Sequence, residues 1–186
     1  MSDSLIVWLL IAVLSFWAIG AYNRLMRLRS RGIRTFAALE GLFNQLLLLV
    51  QTDFQDTSAS LDAHDAGQGP ALASDAWVGL SAAAQQFSTS LKVAHAKPLN
   101  GPRMGALRTA YESLCSSWLS LRNLPPDLAG AALPDNLQLQ WEQLSFQVEV
   151  ARAEFNRQVV KYNQAIDQFP ALLLAWLVGF KPAQPM

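Results

Sequence analysis

The chain has 186 residues, with 14 Lys plus Arg against 14 Asp plus Glu, 52 % hydrophobic residues, 15 % charged residues and a mean hydropathy of +0.18. That length supports one folded domain, because a single core typically takes about 100 to 200 residues. The balanced charge argues against a nucleic-acid binder, which carries surplus cations to neutralise phosphates, and the apolar content excludes long disorder.

The amino-terminal stretch Leu5 to Tyr22 (LIVWLLIAVLSFWAIGAY) holds eighteen residues and no charge. At about 1.5 Å per residue it spans roughly 27 Å as a helix, close to the hydrocarbon thickness of a bilayer. Ala18-Ile19-Gly20 resembles a cleavage pattern, but no Lys or Arg precedes the apolar run, as it would in a secretory signal peptide. A retained anchor over residues 1–22 is therefore expected. Trp8 at one edge, with Trp17 and Tyr22 at the other, suits rings that prefer the headgroup layer. Only Asp3 precedes the run, whereas Arg24, Arg27, Arg29, Arg31 and Arg34 follow it. Basic residues beside a span stay on the cytoplasmic side, so the amino-terminal segment is expected outside and residues 23–170 inside.

Downstream the spacing is helical. Leu25, Gly32, Leu39 and Leu46 recur every seven residues, and Leu28, Leu42 and Leu49 accompany them with Phe36, Phe43 and Val50. One apolar face results, and nothing breaks it from Leu5 to Val50, which predicts a single rod. A polar connection over 52–73 is expected to be mobile. A second helix follows on Trp77, Leu80, Ala84, Phe87 and Leu91, with Ser74 as candidate N-cap. A third follows on Met104, Leu107, Tyr111, Leu114, Trp118 and Leu121, with Pro102 in its first turn. Leu124-Pro125-Pro126 stops it. The fourth stripe, after the candidate cap Asp135, runs through Leu137, Trp141, Leu144, Val148, Phe155, Val159, Tyr162 and Ile166 to Phe169-Pro170.

Four helices with one apolar stripe each bury those stripes by forming a bundle, and the short connections near 96–101 and 124–134 favour antiparallel neighbours. The expected fold is all-α: a transmembrane helix continuous with an antiparallel four-helix bundle. Its path returns the carboxy end to the membrane, where Ala171 to Phe180 (ALLLAWLVGF) is too short to span. Residues 171–186 are expected at the interface, with Trp176 at headgroup depth and Lys181 beside it. Arg24 to Arg34, Lys92, Lys97, Arg103, Arg157, Lys161 and Lys181 would then gather at the membrane end, and Asp53, Asp56, Asp62, Asp65, Asp75, Asp127 and Asp135 at the far tip.

Signals for chemistry are sparse. Asp62-Ala63-His64-Asp65 lacks the ligand number and spacing of a calcium or zinc site, and His95 stands alone near a helix end. Cys115, the single cysteine, adjoins the apolar face and reads as a small hydrophobe; one thiol can form no intrachain disulfide and no structural zinc site. Phosphate loops, HExxH and GxSxG are missing from the sequence. No catalytic residue, cofactor or metal is expected.

The segments Ala151-Arg152-Ala153-Glu154-Phe155-Asn156, Tyr162-Asn163, Phe169-Pro170 and Ala175 with Gly179-Phe180-Lys181 resemble the carboxy-terminal signature of the LemA family. Tyr22-Asn23-Arg24-Leu25 and Leu28-Arg29 are similar to its opening motif. The resemblance implies a single-pass protein of the bacterial inner (plasma) membrane with a helical bundle, and no established activity. It departs from the family pattern at Leu39 to Val50, where an apolar run replaces a charged stretch. Asn156 and Asn163, seven apart, share a helix face. The expectation is a seam in which Tyr162, Asn163 and Asp167 bond to the first helix around Asn23, Arg27 and Arg31. Two functions compete. One is a membrane-tethered scaffold that recruits proteins or organises lipid, with homo-oligomers compatible with it. The other is a ligand- or stress-sensing bundle facing outside the cytoplasm.

Overall fold

The computed structural model describes residues 2–63, 71–124, 133–168 and 171–186, with side chains at 5–54, 75–124, 133–168 and 171–186. Helix α1 spans Ser2–Ala63, α2 Ala71–His95, α3 Gly101–Arg122, α4 Asp135–Asp167 and α5 Ala171–Val178, and no strand occurs among the described residues. At about 1.5 Å per residue α1 is roughly 93 Å long. No described side chain of its first third is buried: Leu5 to Phe16 are all exposed, and the apolar length is sufficient to cross a membrane. Burial begins at Leu25 and recurs at Phe36, Leu39, Phe43, Leu46 and Val50, which is the heptad stripe of the sequence.

Ring contacts set the antiparallel order. Phe36 of α1 meets Phe155 of α4 with centroids 5.8 Å apart. Phe43 of α1 meets Phe87 of α2 at 4.9 Å, and both meet Tyr111 of α3. Trp118 of α3 stacks on Trp141 of α4 at 4.1 Å. Residue numbers fall along each partner as they rise along its neighbour, so the path is up, down, up, down. The buried side chains form one core of Phe, Leu, Trp and Ala, which non-directional apolar burial favours.

Several boundaries differ from the sequence reading. Helix α1 continues past Val50 to Ala63, into the expected connection 52–73, because no Gly or Pro interrupts it before Gly67 and Gln, Thr and Asp each weaken a helix by only a few tenths of a kcal/mol. The expected mobile centre of that connection, with His64 and Asp65, lies outside the described residues. Ser74 falls inside α2, which starts three residues earlier. Asn100 caps α3, its side chain accepting from the Arg103 N–H at 3.3 Å, with Pro102 in the first turn as expected. Pro134 occupies the N-cap of α4 without a side-chain bond, and Asp135 is its first helical residue. There its carboxylate still favours the positive helix end.

Candidate functional site

The base of the bundle brings together the stem of α1, the end of α4, α5 and the segment 180–186. The α2–α3 connection closes against Gly32, where Leu99 Cδ2 lies 3.3 Å from the position a Cβ would take. Helix α4 runs beyond that level, so that Ala165 and Gln168 share a groove with Arg24 and Leu25 of α1. The chain then turns into α5, whose Ala175 is buried while Leu173, Trp176 and Leu177 face outward, Trp176 at 83 % exposure.

Gly179 ends α5 in the left-handed region at φ 77°. Phe180 N–H donates to Ala175 O at 2.9 Å, the six-to-one bond of a Schellman turn, which requires a residue without a Cβ penalty at that place. The turn sends the chain back toward α4 and sets the Phe180 ring 6.3 Å from Tyr22, with the Arg29 guanidinium 5.9 Å from its centroid.

Two asparagines then hold the segment that follows. Asn163 Nδ2 donates to Ala183 O at 2.8 Å and its Oδ1 accepts from Ala183 N–H at 2.9 Å. Asn156 does the same with Met186, at 2.6 and 2.7 Å. Tyr162 Oη donates to Lys181 O at 3.3 Å. The match is geometric. Seven helical residues rise about 10.5 Å and three residues of polyproline II about 9.3 Å, so an amide every two turns meets a peptide group every three residues. Pro182 and Pro185 confine themselves, and the residues preceding them, to extended backbone. Burial follows the same period: Ala183 and Met186 are 5 % and 6 % exposed, and the residues between are open. Gln184 reaches across to Gly101 and Gly105 of α3, its Oε1 3.5 Å from a Cβ position at Gly101. The extended segment thus lies between α3 and α4.

This corrects the expected seam. Among the described residues, Tyr162 and Asn163 bond to 181–183 and not to Asn23, Arg27 or Arg31, and Asp167 is exposed with no bond to them. An asparagine amide offers a donor and an acceptor side by side, which complements one extended peptide unit; a helix has used its own N–H and C=O groups internally. Arg152 pairs with Glu149 at 3.0 Å on its own helix. Phe169 and Pro170 lie outside the described residues. Pro182, Ala183, Pro185 and Met186 are the residues sequence reasoning missed. The signal was present as prolines three apart opposite asparagines seven apart.

The electrostatics divide by position. Arg24, Arg27, Arg29, Arg31 and Arg34 are exposed and form no ion pair among the described residues, and Lys181 is exposed as well. Trp17 lines the groove beside Arg24. Burial pushes the Tyr162 phenol up, opposed by the Arg29 charge. The Gln158 side chain, which donates to Glu154 at 2.7 Å, and then Arg157 hold the Glu154 carboxyl below its usual range. Burial pushes the Cys115 thiol up, which fits an unreactive packing residue. His95 Nδ1 lies 2.8 Å from Glu40, joining α2 to α1. Among the described residues no group of three or more His, Cys, Asp or Glu gathers as a metal site.

An exposed apolar stem running into an antiparallel bundle, closed at its base by a short helix and a clamped extended segment, defines a helical-bundle protein with a membrane-type amino-terminal helix. The LemA family model matches residues 83–186, and the chain belongs to the LemA family. The match takes in the Asn156 and Asn163 clamps, the Gly179 turn and the clamped segment; the similar opening around Tyr22 to Arg29 lies outside it. Neither the curated proteins nor the solved structures yield a match.

Proposed function

We propose that the protein is a non-catalytic scaffold or adaptor, held in the bacterial inner membrane by α1 and presenting its bundle to the cytoplasm for protein partners or for organising lipid at its base. The observation that carries this reading is the exposure of apolar side chains along the stem from Leu5 to Ile19 and again at Leu173, Trp176 and Leu177 of α5. Such a surface is costly in water and stable in lipid, with the unpaired arginines placed where anionic headgroups favour them. The orientation rests on that basic flank. The family is not known as enzymatic, which agrees with the non-catalytic reading.

A surface for protein partners is also present. Leu139, Phe146 and Val150 are 67 %, 72 % and 57 % exposed. They recur at steps of seven and four on α4, which puts them on one face opposite the buried Leu137, Trp141 and Val148. A photo-crosslinking residue at Phe146 in native membranes should capture a discrete protein, or a second copy, and one at Gln140 should capture it less. Equal labelling at both positions would remove the recruiting surface. A reporter joined after Met186 should be active only inside the cytoplasm; activity only outside would overturn the orientation and favour a sensor.

A further inference from the structure

The groove at the base has the form of a site for one amphiphile. A cavity of about 870 Å³ lies between α1 and the α4–α5 corner, with Val13, Phe16 and Gly20 on one side and Ala165 and Ala171 on the other. Its lining is apolar except at one end, where Arg24 stands with Gln168. From Arg24 to Ala12, the farthest lining residue, α1 rises about 18 Å, close to the depth of one leaflet of a bilayer whose hydrocarbon is roughly 30 Å thick. Gly20 lines the slot, and a Cβ there would meet nothing within 4 Å, so a larger side chain at that place has free space to enter it.

Beyond Arg24 the same face changes character. Arg27 and Arg31 follow three and seven residues on, which aligns them above Arg24. A second hollow of about 380 Å³ runs along Arg27, Ser30, Arg31 and Arg34. None of these arginines has an ion-pair partner among the described residues. The face therefore reads, in order, as a leaflet-deep apolar slot, a guanidinium at its mouth and a cationic hollow above.

From this juxtaposition we infer that the groove binds a single anionic glycerophospholipid, one acyl chain in the slot, the phosphate at Arg24 and the headgroup toward Arg27 and Arg31. Guanidinium groups pair with phosphate through two parallel N–H donors, which a lone lysine would not offer. A second copy of the chain is a poorer occupant, because it would bring the same arginines against these. The inference rests on the reading of α1 as a membrane anchor and deepens it by giving the lipid class and its place.

The test uses the full chain purified in detergent, mixed with phosphatidylglycerol or phosphatidylcholine of identical acyl chains, and native mass spectrometry to count retained lipids. One phosphatidylglycerol per chain is expected, retained about tenfold over phosphatidylcholine, the order given by one or two cationic contacts. Arg24→Gln should bring phosphatidylglycerol down to the phosphatidylcholine level. Gly20→Leu should lower retention of both lipids while circular dichroism and thermal unfolding stay unchanged. Equal retention of the two lipids by the unaltered chain, retention insensitive to both substitutions, or chain dimers in place of lipid adducts would overturn the inference. If the chain fractionates with membranes yet retains no lipid, the site falls and the anchor stands; if it fails to fractionate with membranes, both fall.

Discussion

Replacing Asn163 with alanine removes two hydrogen bonds to a single peptide unit, at 2.8 and 2.9 Å, and leaves the Asn156 pair in place. A net contribution of about 1 kcal/mol per bond puts the loss near 2 kcal/mol, or roughly thirtyfold in the ratio of docked to undocked segment. The double substitution with Asn156→Ala removes four bonds and about 4 kcal/mol, which leaves mainly the burial of Ala183 and Met186 to hold the segment. The effect should be local, because neither asparagine belongs to the apolar core. Hydrogen exchange reads it directly: the Ala183 amide should exchange about thirty times faster in Asn163→Ala, with the amides of α2 and α3 little changed. Asn163→Asp keeps the acceptor and loses the donor, and sets a negative charge beside the Ala183 carbonyl, so it should be at least as damaging as alanine. Unaltered protection at Ala183 in both variants would refute the clamp.

Other perturbations test other parts of the fold. Gly179→Ala forces an L-residue into the left-handed region at a cost of about 1 to 2 kcal/mol, so it should loosen the Phe180 contact with Tyr22 and speed hydrogen exchange at the Phe180 amide; unchanged exchange would argue against the turn. Phe43→Ala opens the centre of the Phe87–Tyr111 cluster and should lower unfolding stability by about 3 to 5 kcal/mol in chemical denaturation. Burial, with Cys115 beside it, holds the Tyr111 phenol well above its ordinary range. The folded state therefore resists ionisation that the unfolded chain undergoes near about pH 10, and stability present below that pH is lost as the pH rises beyond it. Tyr111→Phe should flatten this alkaline loss in denaturant midpoints measured on either side of pH 10, and an equally steep loss would contradict the assignment.

The helices were legible because their apolar residues repeat at the period of the backbone itself. Leu25 through Val50 and Leu137 through Ile166 appear on the buried face as their spacing requires. Boundaries were less so. Ser74 and Asp135 are good caps by residue type, yet packing of Trp77 and Leu137 is compatible with helices that begin elsewhere, and a cap contributes only about 1 kcal/mol. The asparagines were recognised as a pair on one face, but not their partner, because a helix pattern carries no information about an irregular segment twenty or thirty residues away.

Composition and periodicity determined that the chain is all-helical, that its first span can cross a bilayer and that its helices alternate in direction, since each follows from local backbone geometry and from the need to bury one stripe. The return of Phe180 to the end of the bundle that holds Tyr22 followed from the helix count; tertiary structure alone decided that 180–186 doubles back along α4, that the Arg29 guanidinium lies over the Phe180 ring, and that a slot opens below Arg24. Those relations depend on the angle at which Gly179 turns the chain and on how far α4 extends past the α2–α3 connection, both set by three-dimensional packing among residues that no sequence period connects.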